Sequence, residues 1–548
     1  MRIAMVSTEA GSGGAARAMQ RLAQGLRGRG HEVDVFIAVE AGASANEVLV
    51  RPRADETGLD RFARVASTAF DASYVAARRS SVSNTSFSTQ VTGLDLAAIP
   101  GLRGFDAVNV HWTGGMMSPL TLGNVADLGI PTVFTLHDMA HFTGGCHYAA
   151  GCRGFEAACE PCHQVHPDEL GLIRHSLETK RERYGRPNAR AVSPSAWLAG
   201  LADASRVFSG PVQVIPNGLE TETFRPRDRA AVRQSLGLAS GDCAILFGVY
   251  DNREHRKGFE DLLGALRLSL RDAAFAERAG QGRIHLLSFG KTQADLAGLG
   301  LPVIDLGWVD SDERLSEIYN AADLCVLPSH EDNQPNVMVE AMACGTPVIA
   351  FRVGGIPETV TDGRNGRLVE PLSLDDLARA IVDLALDEEA AKALGRSAAE
   401  DVQRLTLDRQ AEAYEALFES LAVTVGWRPS DGKQAGIGAG DGGLRQAYVP
   451  LRLDPYVETR PFGPILAEQV EALAQELTAV KTNRDELHDQ LLSVTGELVS
   501  VTANRDGLYE QLVAVNEHSA ARDAELALLK GKLVNRILLK LRDRLKRR

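Results

Sequence analysis

Short apolar runs alternate with helix-length stretches twice along the first 425 residues, and this alternation constrains the fold more than any other feature. Arg2 to Val6 reads as a buried strand, Gly11 to Gly14 as a glycine loop, and Ala15 to Arg29 as a helix stopped by Gly30. Val33 to Val39 then reads as a second strand. Strand, crossover helix and strand favour a parallel sheet covered by helices. Further strands are expected at Ala107 to His111, Thr132 to Leu136 and Ala189 to Val192, while residues 41–100 read as an insertion with one or two helices. The interdomain linker is placed near Val212 to Pro226. A second series follows, with strands expected at Ala244 to Val249, Arg283 to Phe289, Val303 to Leu306, Leu324 to Leu327 and Pro347 to Phe351, and a closing helix at Arg409 to Val423. The expectation is an α/β protein of two Rossmann-like domains, residues 1–210 and 211–425, facing one cleft.

Residues 426–463 are rich in Gly, Pro and charge and read as a flexible linker. Heptads follow over 464–529: Leu466, Leu473, Val480, Leu487, Val494, Val501, Leu508 and Val515 lie seven apart, with Val470, Leu477, Leu491, Leu498 and Leu512 in the companion register. The segment beginning at Glu476 recurs at Glu497, an offset of 21 residues that preserves the seam. This predicts an α-helical coiled coil and a homo-oligomer; a single amphipathic helix is the alternative. Arg484 and Arg505 interrupt the core at equivalent points and restrict register or strand number. The last stretch, 530–548, carries a charge of +8 on an amphipathic pattern with Leu533, Ile537, Leu541 and Leu545 on one stripe. It suits an anionic membrane surface, or a continued coil with a solvated face.

Outside that tail the charge is −21, so the body argues against nucleic-acid binding. Apolar residues at 44% and charged residues at 24% exclude collagen, wholesale disorder and a disulfide mini-protein. No apolar run is long enough to span a bilayer, and the N-terminus lacks a signal-peptide pattern. A cytoplasmic protein, peripheral on the inner face of the membrane if the tail binds it, is expected.

Four places carry candidate chemistry. The glycine loop with Gly13 and Gly14 lets the backbone approach a phosphate or sugar at a helix N-terminus, or is simply a tight turn. It lacks GxGxxG, which disfavours a nicotinamide oxidoreductase. His137 and His111 compete for one role, each at a strand end where open α/β sheets place functional groups. His255, Arg256 and Lys257 put cations at another strand end, where they suit a diphosphate, though a solvated basic turn looks the same. In PSHEDNQPNVMVEAMACGTPVIAFRVGGIPE, Asp332 and Glu340 lie eight residues apart across a Pro/Asn turn. That spacing brings two carboxylates and free backbone amides to one ligand, with Gly345, Gly354 and Gly355 allowing a close turn around it.

This last segment resembles the E-x7-E signature of retaining nucleotide-sugar glycosyltransferases, glycosyltransferase family 4. The resemblance runs over about residues 1–425 and includes GGAAR, FTLHD, VSPSAWL, VIPNGLETETFRP, RKGFEDLL, LGWV, YNAADLCVLPS and EAMACGTPVIAFRVGG. HDMAHFTGGCHY is most similar to the capsular, colanic-acid and O-antigen branch. The resemblance implies a GT-B fold and sugar transfer from a nucleoside diphosphate to a glycan or lipid-linked hydroxyl, with retention and without a metal at the leaving group. It implies that Glu340 holds the ribose and Asp332, with Glu331 beside it, the donor sugar hydroxyls. Asn336 and Val337 then supply amides, Lys257 with Arg256 neutralises the diphosphate, and Gly248 lies among the donor-binding residues. His137 meets the sugar or its phosphate, with Gly13, Gly14 and His111 on the cleft floor. Two departures stand out: Asp332 replaces the usual Glu, and Asp251 stands where many relatives carry Arg.

Cys146, Cys152, Cys159 and Cys162 lie within 17 residues. Four thiolates suit a structural zinc; reduced or redox-active thiols, disulfides and an iron–sulfur cluster stay open. Besides the polysaccharide transferase, two readings remain: a soluble transferase acting on a small metabolite, and a non-catalytic coiled-coil scaffold on a degenerate transferase body.

Overall fold

The computed structural model describes residues 1–11, 13–40, 46–53, 74–251, 253–291, 297–430, 437–439 and 445–458. The heptads and the basic tail lie outside the described residues. Residues Met1–Arg53 and Arg78–Arg452 form one compact unit. A second unit, 54–77 with 453–548, is described only at 74–77 and 453–458. There Pro455–Glu458 forms a single helical turn, and the Tyr456 amide donates to Asp454 Oδ1 at 2.9 Å.

Two sheets organise the first unit. Strands β1 (Arg2–Val6), β2 (Glu32–Ile37) and β3 (Glu47–Pro52) run parallel to β5 (Ala107–Val110), β6 (Thr132–Thr135), β7 (Ala189–Ser193) and β8 (Gln213–Val214). The short β4 (Thr92–Leu94) stands outside this sheet. The second sheet contains β9 (Cys243–Asp251), β10 (Ile284–Lys291), β11 (Val303–Asp305), β12 (Leu324–Leu327), β13 (Val348–Phe351) and β14 (Gly366–Val369). Its order is β11-β10-β9-β12-β13-β14, parallel throughout. The first sheet runs β3-β2-β1-β5-β6-β7-β8, with additions at the β3 edge. Each order reverses direction once, at β1/β5 and at β9/β12. A reversal leaves a crevice beyond the strand carboxyl ends, where open α/β sheets bind ligands.

The apolar strand runs are buried on both faces, as parallel strands flanked by helices must be. Helix α1 (Gly13–Gly28) covers the first sheet with Met19, Leu22, Ala23 and Leu26. Against it packs α4 (Leu407–Val425), contributing Ala411, Tyr414, Phe418 and Leu421 to the same core. Tyr414 OH lies 2.9 Å from Thr135 Oγ1 of β6, and Trp427 Nε1 donates to Phe105 O at 3.0 Å. The chain therefore returns to the first half after residue 406.

The α1–α4 contact is tight at Gly25. A Cβ there would stand 2.6 Å from the Leu407 carbonyl oxygen, a backbone atom with no rotamer to escape into. Gly25→Ala is expected to destabilise by about 1–3 kcal/mol through overpacking, despite alanine's better helix propensity. Denaturant unfolding checks this; an unchanged midpoint would contradict the packing.

Two segments depart from the sequence reading. Residues 47–52, inside the expected insertion, form β3, a strand the sequence reading did not place. Within the expected linker, β16 (Arg445–Val449) pairs parallel with β3, and β15 (Ile437–Ala439) pairs antiparallel with β16. An unpaired β3 edge would leave a row of backbone donors and acceptors; β16 satisfies them. Among the described residues no helix is long and apolar enough to cross a membrane.

Candidate active site

Side-chain contacts join the two crevices within this one unit. In the second half, β9 ends near a basic turn, His255–Lys257, and Gly258 starts the next helix. Gly258 has φ +69°, and a Cβ there would lie 1.8 Å from Pro328 O, so only glycine lets the basic turn press against the loop after β12. That loop carries Ser329 to Pro335 into α3 (Asn336–Ala343).

Asp332 is buried in this loop. Lys257 Nζ approaches its Oδ2 to 2.6 Å, Arg256 Nη1 to 3.3 Å, and Ser329 Oγ donates to it at 3.2 Å. Burial pushes its pKa up, but Lys257 and Arg256 outweigh that and hold it at about 2. Arg256 stacks 3.8 Å above the Tyr148 ring and donates to Glu331 O. It supplies cationic charge beside Lys257. Gly354, with φ +57°, lets the backbone pass where a Cβ would lie 1.8 Å from Asp332 O.

Glu340, on α3, is 1% exposed. Tyr319 OH donates to its Oε2 at 2.7 Å; Arg21 Nη2 lies 2.9 Å and Arg17 Nε 3.3 Å from its Oε1. Burial alone would raise its pKa; Arg21, Arg17 and the tyrosine hydroxyl hold it below the usual carboxylate range. Both arginines come from α1 of the other half, four residues apart and therefore on one face of that helix. Arg21 also meets Glu220 Oε2 at 2.7 Å.

The halves meet again at Asn333. Its Nδ2 donates to Leu136 O at 3.1 Å and His137 O at 3.3 Å, and its Oδ1 accepts from Ser195 Oγ at 2.5 Å. Asn336 Nδ2 donates to Gly14 O at 3.0 Å. Glu358 caps α2 (Ala196–Ser205), accepting from the Ala196 and Trp197 amides at 2.7 Å each. Loop, α3 and glycine turn thus converge on one locus. Asn336 and Val337 begin α3, where helical amides have no partner within the helix. Gly13, with φ +85°, opens α1 beside Gly14.

His111 and His137 stand together. Because β5 neighbours β6, His111 Nδ1 lies 2.9 Å from His137 Nε2. Asn109 Nδ2 donates to Val133 O and Thr135 Oγ1, so Asn109 Oδ1 accepts from His111 Nε2 at 2.9 Å. His111 Nδ1 is then an acceptor and takes the proton of His137 Nε2; this network assigns the tautomers. Neutral His137 is left with its lone pair on Nδ1. Burial lowers both histidines, His137 to about 4.

The neighbouring His141, 7% exposed, is also held at about 4, chiefly by burial. In the unfolded chain these imidazoles take up protons as pH falls through about 6.5; folded, His137 and His141 do so only near 4. Acid therefore favours unfolding across that window. His141 alone accounts for roughly 2 kcal/mol at pH 5. Melting temperature should fall between pH 7.5 and 5, and a flat profile would contradict these environments. Asp138, held at about 2 by His147 against the effect of burial, adds its loss only below about pH 4.

Two expected donor residues sit differently. Gly248 lies in β9, where a Cβ would stand 2.1 Å from the Phe289 ring; packing accounts for this glycine. Glu331 Oε2 accepts from the Ala150 amide at 2.9 Å, so it faces the cysteine segment. Sequence reasoning missed Arg17, Arg21, Asn333, Ser195, Tyr319 and Glu358. The arginine spacing after the glycine loop was a readable signal; the others are visible only once the halves are paired.

Residues 12–223 match the model described as Glycosyltransferase Family 4, and residues 244–387 the model described as Glycosyl transferases group 1. The chain belongs to glycosyltransferase family 4. A relative called D-inositol 3-phosphate glycosyltransferase, from Nocardia farcinica, is 30% identical over 370 residues, covering 65% of this chain and 73% of that one. Against a relative of the same name from Segniliparus rotundus, the chain spans 47% of that protein's length, at 31% identity over 38% of this chain. These names differ from the capsular, colanic-acid or O-antigen branch suggested by the cysteine segment. The fold is shared with sucrose-phosphate synthase from Thermosynechococcus elongatus, at TM-score 0.53 and 21% identity over 77% of this chain and 99% of that one. It is shared too with Anabaena HepE, solved in complex with UDP-glucose, at TM-score 0.51 and 17% identity over 77% of this chain and all of that one. These likenesses establish the GT-B architecture.

Proposed function

We propose that this chain transfers a sugar from a nucleoside diphosphate sugar to an acceptor hydroxyl, with retention of anomeric configuration. The observation that carries this reading is the convergence at β9/β12: buried, ionised Asp332 and Glu340, the Lys257–Arg256 pair, and the free amides of α3. Carboxylates suit sugar and ribose hydroxyls, while cations and helix-terminal amides suit a diphosphate. In this reading Glu340 holds the ribose, Asp332 the donor sugar, and Lys257 with Arg256 the diphosphate. Neutral His137 accepts from a donor-sugar hydroxyl through Nδ1. Rate comes from charge stabilisation at the leaving diphosphate and from positioning. In front-side attack a leaving phosphate oxygen removes the acceptor proton, so no side chain is assigned as general base. The UDP-glucose bound by the Anabaena protein of the same fold supports a donor of this class.

For the acceptor we retain a glycan or lipid-linked hydroxyl in cell-surface polysaccharide assembly, on the cytoplasmic face. The coiled coil would oligomerise the enzyme, and the basic tail would hold it to anionic lipid. A small phosphorylated polyol is the second reading, favoured by the relatives' name. The test pairs UDP-, GDP- and ADP-hexoses with inositol phosphate and with lipid-linked oligosaccharides, following diphosphate release and product anomeric configuration by NMR. One base giving a retained product supports the reading. An inverted product overturns retention. No release with any pair, together with no nucleotide binding, leaves the scaffold reading in place.

A further inference from the structure

The four clustered cysteines take no part in that chemistry, yet they meet. Cys146, Cys152, Cys159 and Cys162 line one cavity of about 20 Å3, walled by Phe87, Phe155 and Ile173. That is room for one water-sized atom. All four are free thiols in the structure.

One backbone amide is directed at a sulfur. The Gly154 amide donates to Cys152 Sγ at 3.3 Å. Amides aimed at sulfur favour the anionic form. Two cations interact with the group: Lys180 with Cys159 and Cys146, and Arg79 with Cys146 and Cys162. Lys180 is anchored by the carbonyls of Ala140 and Thr143, at 2.8 and 2.7 Å. Cys159 has φ +53°, a left-handed conformation that a non-glycine residue keeps only when its surroundings enforce it. The protein alone therefore leaves four thiols lining one cavity, Cys159 buried and the other three partly exposed.

We propose that Cys146, Cys152, Cys159 and Cys162 form a structural tetrathiolate site for a soft tetrahedral dication, zinc in the first instance. The donor set fits: four sulfurs are the ligand number and type zinc takes in closed structural sites. Among the described residues no three His, Cys, Asp or Glu groups stand at ligand geometry for a metal ion, so binding requires the four sulfurs lining the cavity to close on the ion. Four thiol protons leave to solvent as one dication enters, giving a net charge of −2 that Lys180 and Arg79 offset. The site would fix the loop whose Tyr148 underlies Arg256 and whose Ala150 amide binds Glu331.

Elemental analysis of untagged full-length protein, purified without chelator, should find about one zinc per chain. Cobalt exchange should give thiolate-to-cobalt charge-transfer absorption, and chelation should lower the melting temperature and expose four thiols to a thiol reagent. Cys162→Ser should bind metal at least tenfold more weakly. If that variant does not fold, the cobalt spectrum of the unaltered protein decides alone. Substoichiometric metal with no charge-transfer band would overturn the proposal, as would disulfides found by non-reducing mass spectrometry.

Discussion

Glu340→Ala is expected to remove measurable nucleotide binding and to destabilise the chain by about 1–3 kcal/mol, because it removes one of the two carboxylates paired with buried Arg21 and leaves the buried Tyr319 hydroxyl without its acceptor. Arg21 is 3% exposed and sits 2.9 Å from the Glu340 carboxylate, with Glu220 as its other anionic partner. The two effects have separable causes. The double variant Arg21→Met, Glu340→Gln removes the buried charges together and keeps an acceptor for Tyr319 OH. It should recover most of the stability, as replaced buried ion pairs often do, while nucleotide binding stays lost. Chemical unfolding and calorimetry read the two outcomes independently. If the double variant binds nucleotide as the wild type does, Glu340 is a structural ion-pair partner and the ribose role is wrong.

Lys257→Ala should lower turnover about 10²–10³-fold with a smaller change in donor KM. A cation aimed at a leaving diphosphate acts mostly on charge that develops in the transition state. The fold should survive, since Lys257 is partly exposed and Arg256 remains 3.3 Å from Asp332. Lys257→Arg should recover part of the rate, because a guanidinium keeps the charge with different geometry. Steady-state kinetics with saturating acceptor checks this. A Lys257→Ala enzyme within threefold of wild type would mean that the diphosphate is neutralised elsewhere.

Local pattern carried much of this architecture. The strand, glycine loop and helix from Arg2 to Arg29 were legible because each step has its own chemistry: a buried β run, backbone freedom, then helical periodicity ended by Gly30. The loop and helix bearing Asp332 and Glu340 were legible for the same reason. What failed was long-range. RQAYV at 445–449 has no strong strand signature and lies beside a glycine-rich stretch; its place comes from the open edge of β3, some 400 residues earlier. The helix Leu407–Val425 was readable as a helix, but not as a partner of α1. Arg21 and Glu340 are more than 300 residues apart, and Asn333 meets Leu136 O only after both sheets have formed. His111 and His137 were visible as two strand ends; their hydrogen bond required knowing that β5 and β6 are neighbours. Such pairings depend on sheet order and on the docking of the two halves, which periodicity does not encode.

We propose that β9, β12 and α3 build a nucleoside diphosphate site around Glu340 and Lys257. Isothermal titration of the full chain with UDP, GDP and ADP, beside the Arg21→Met, Glu340→Gln variant, tests this. One diphosphate should bind stoichiometrically to the wild type and none to the variant. No binding to either, or equal binding to both, would contradict it.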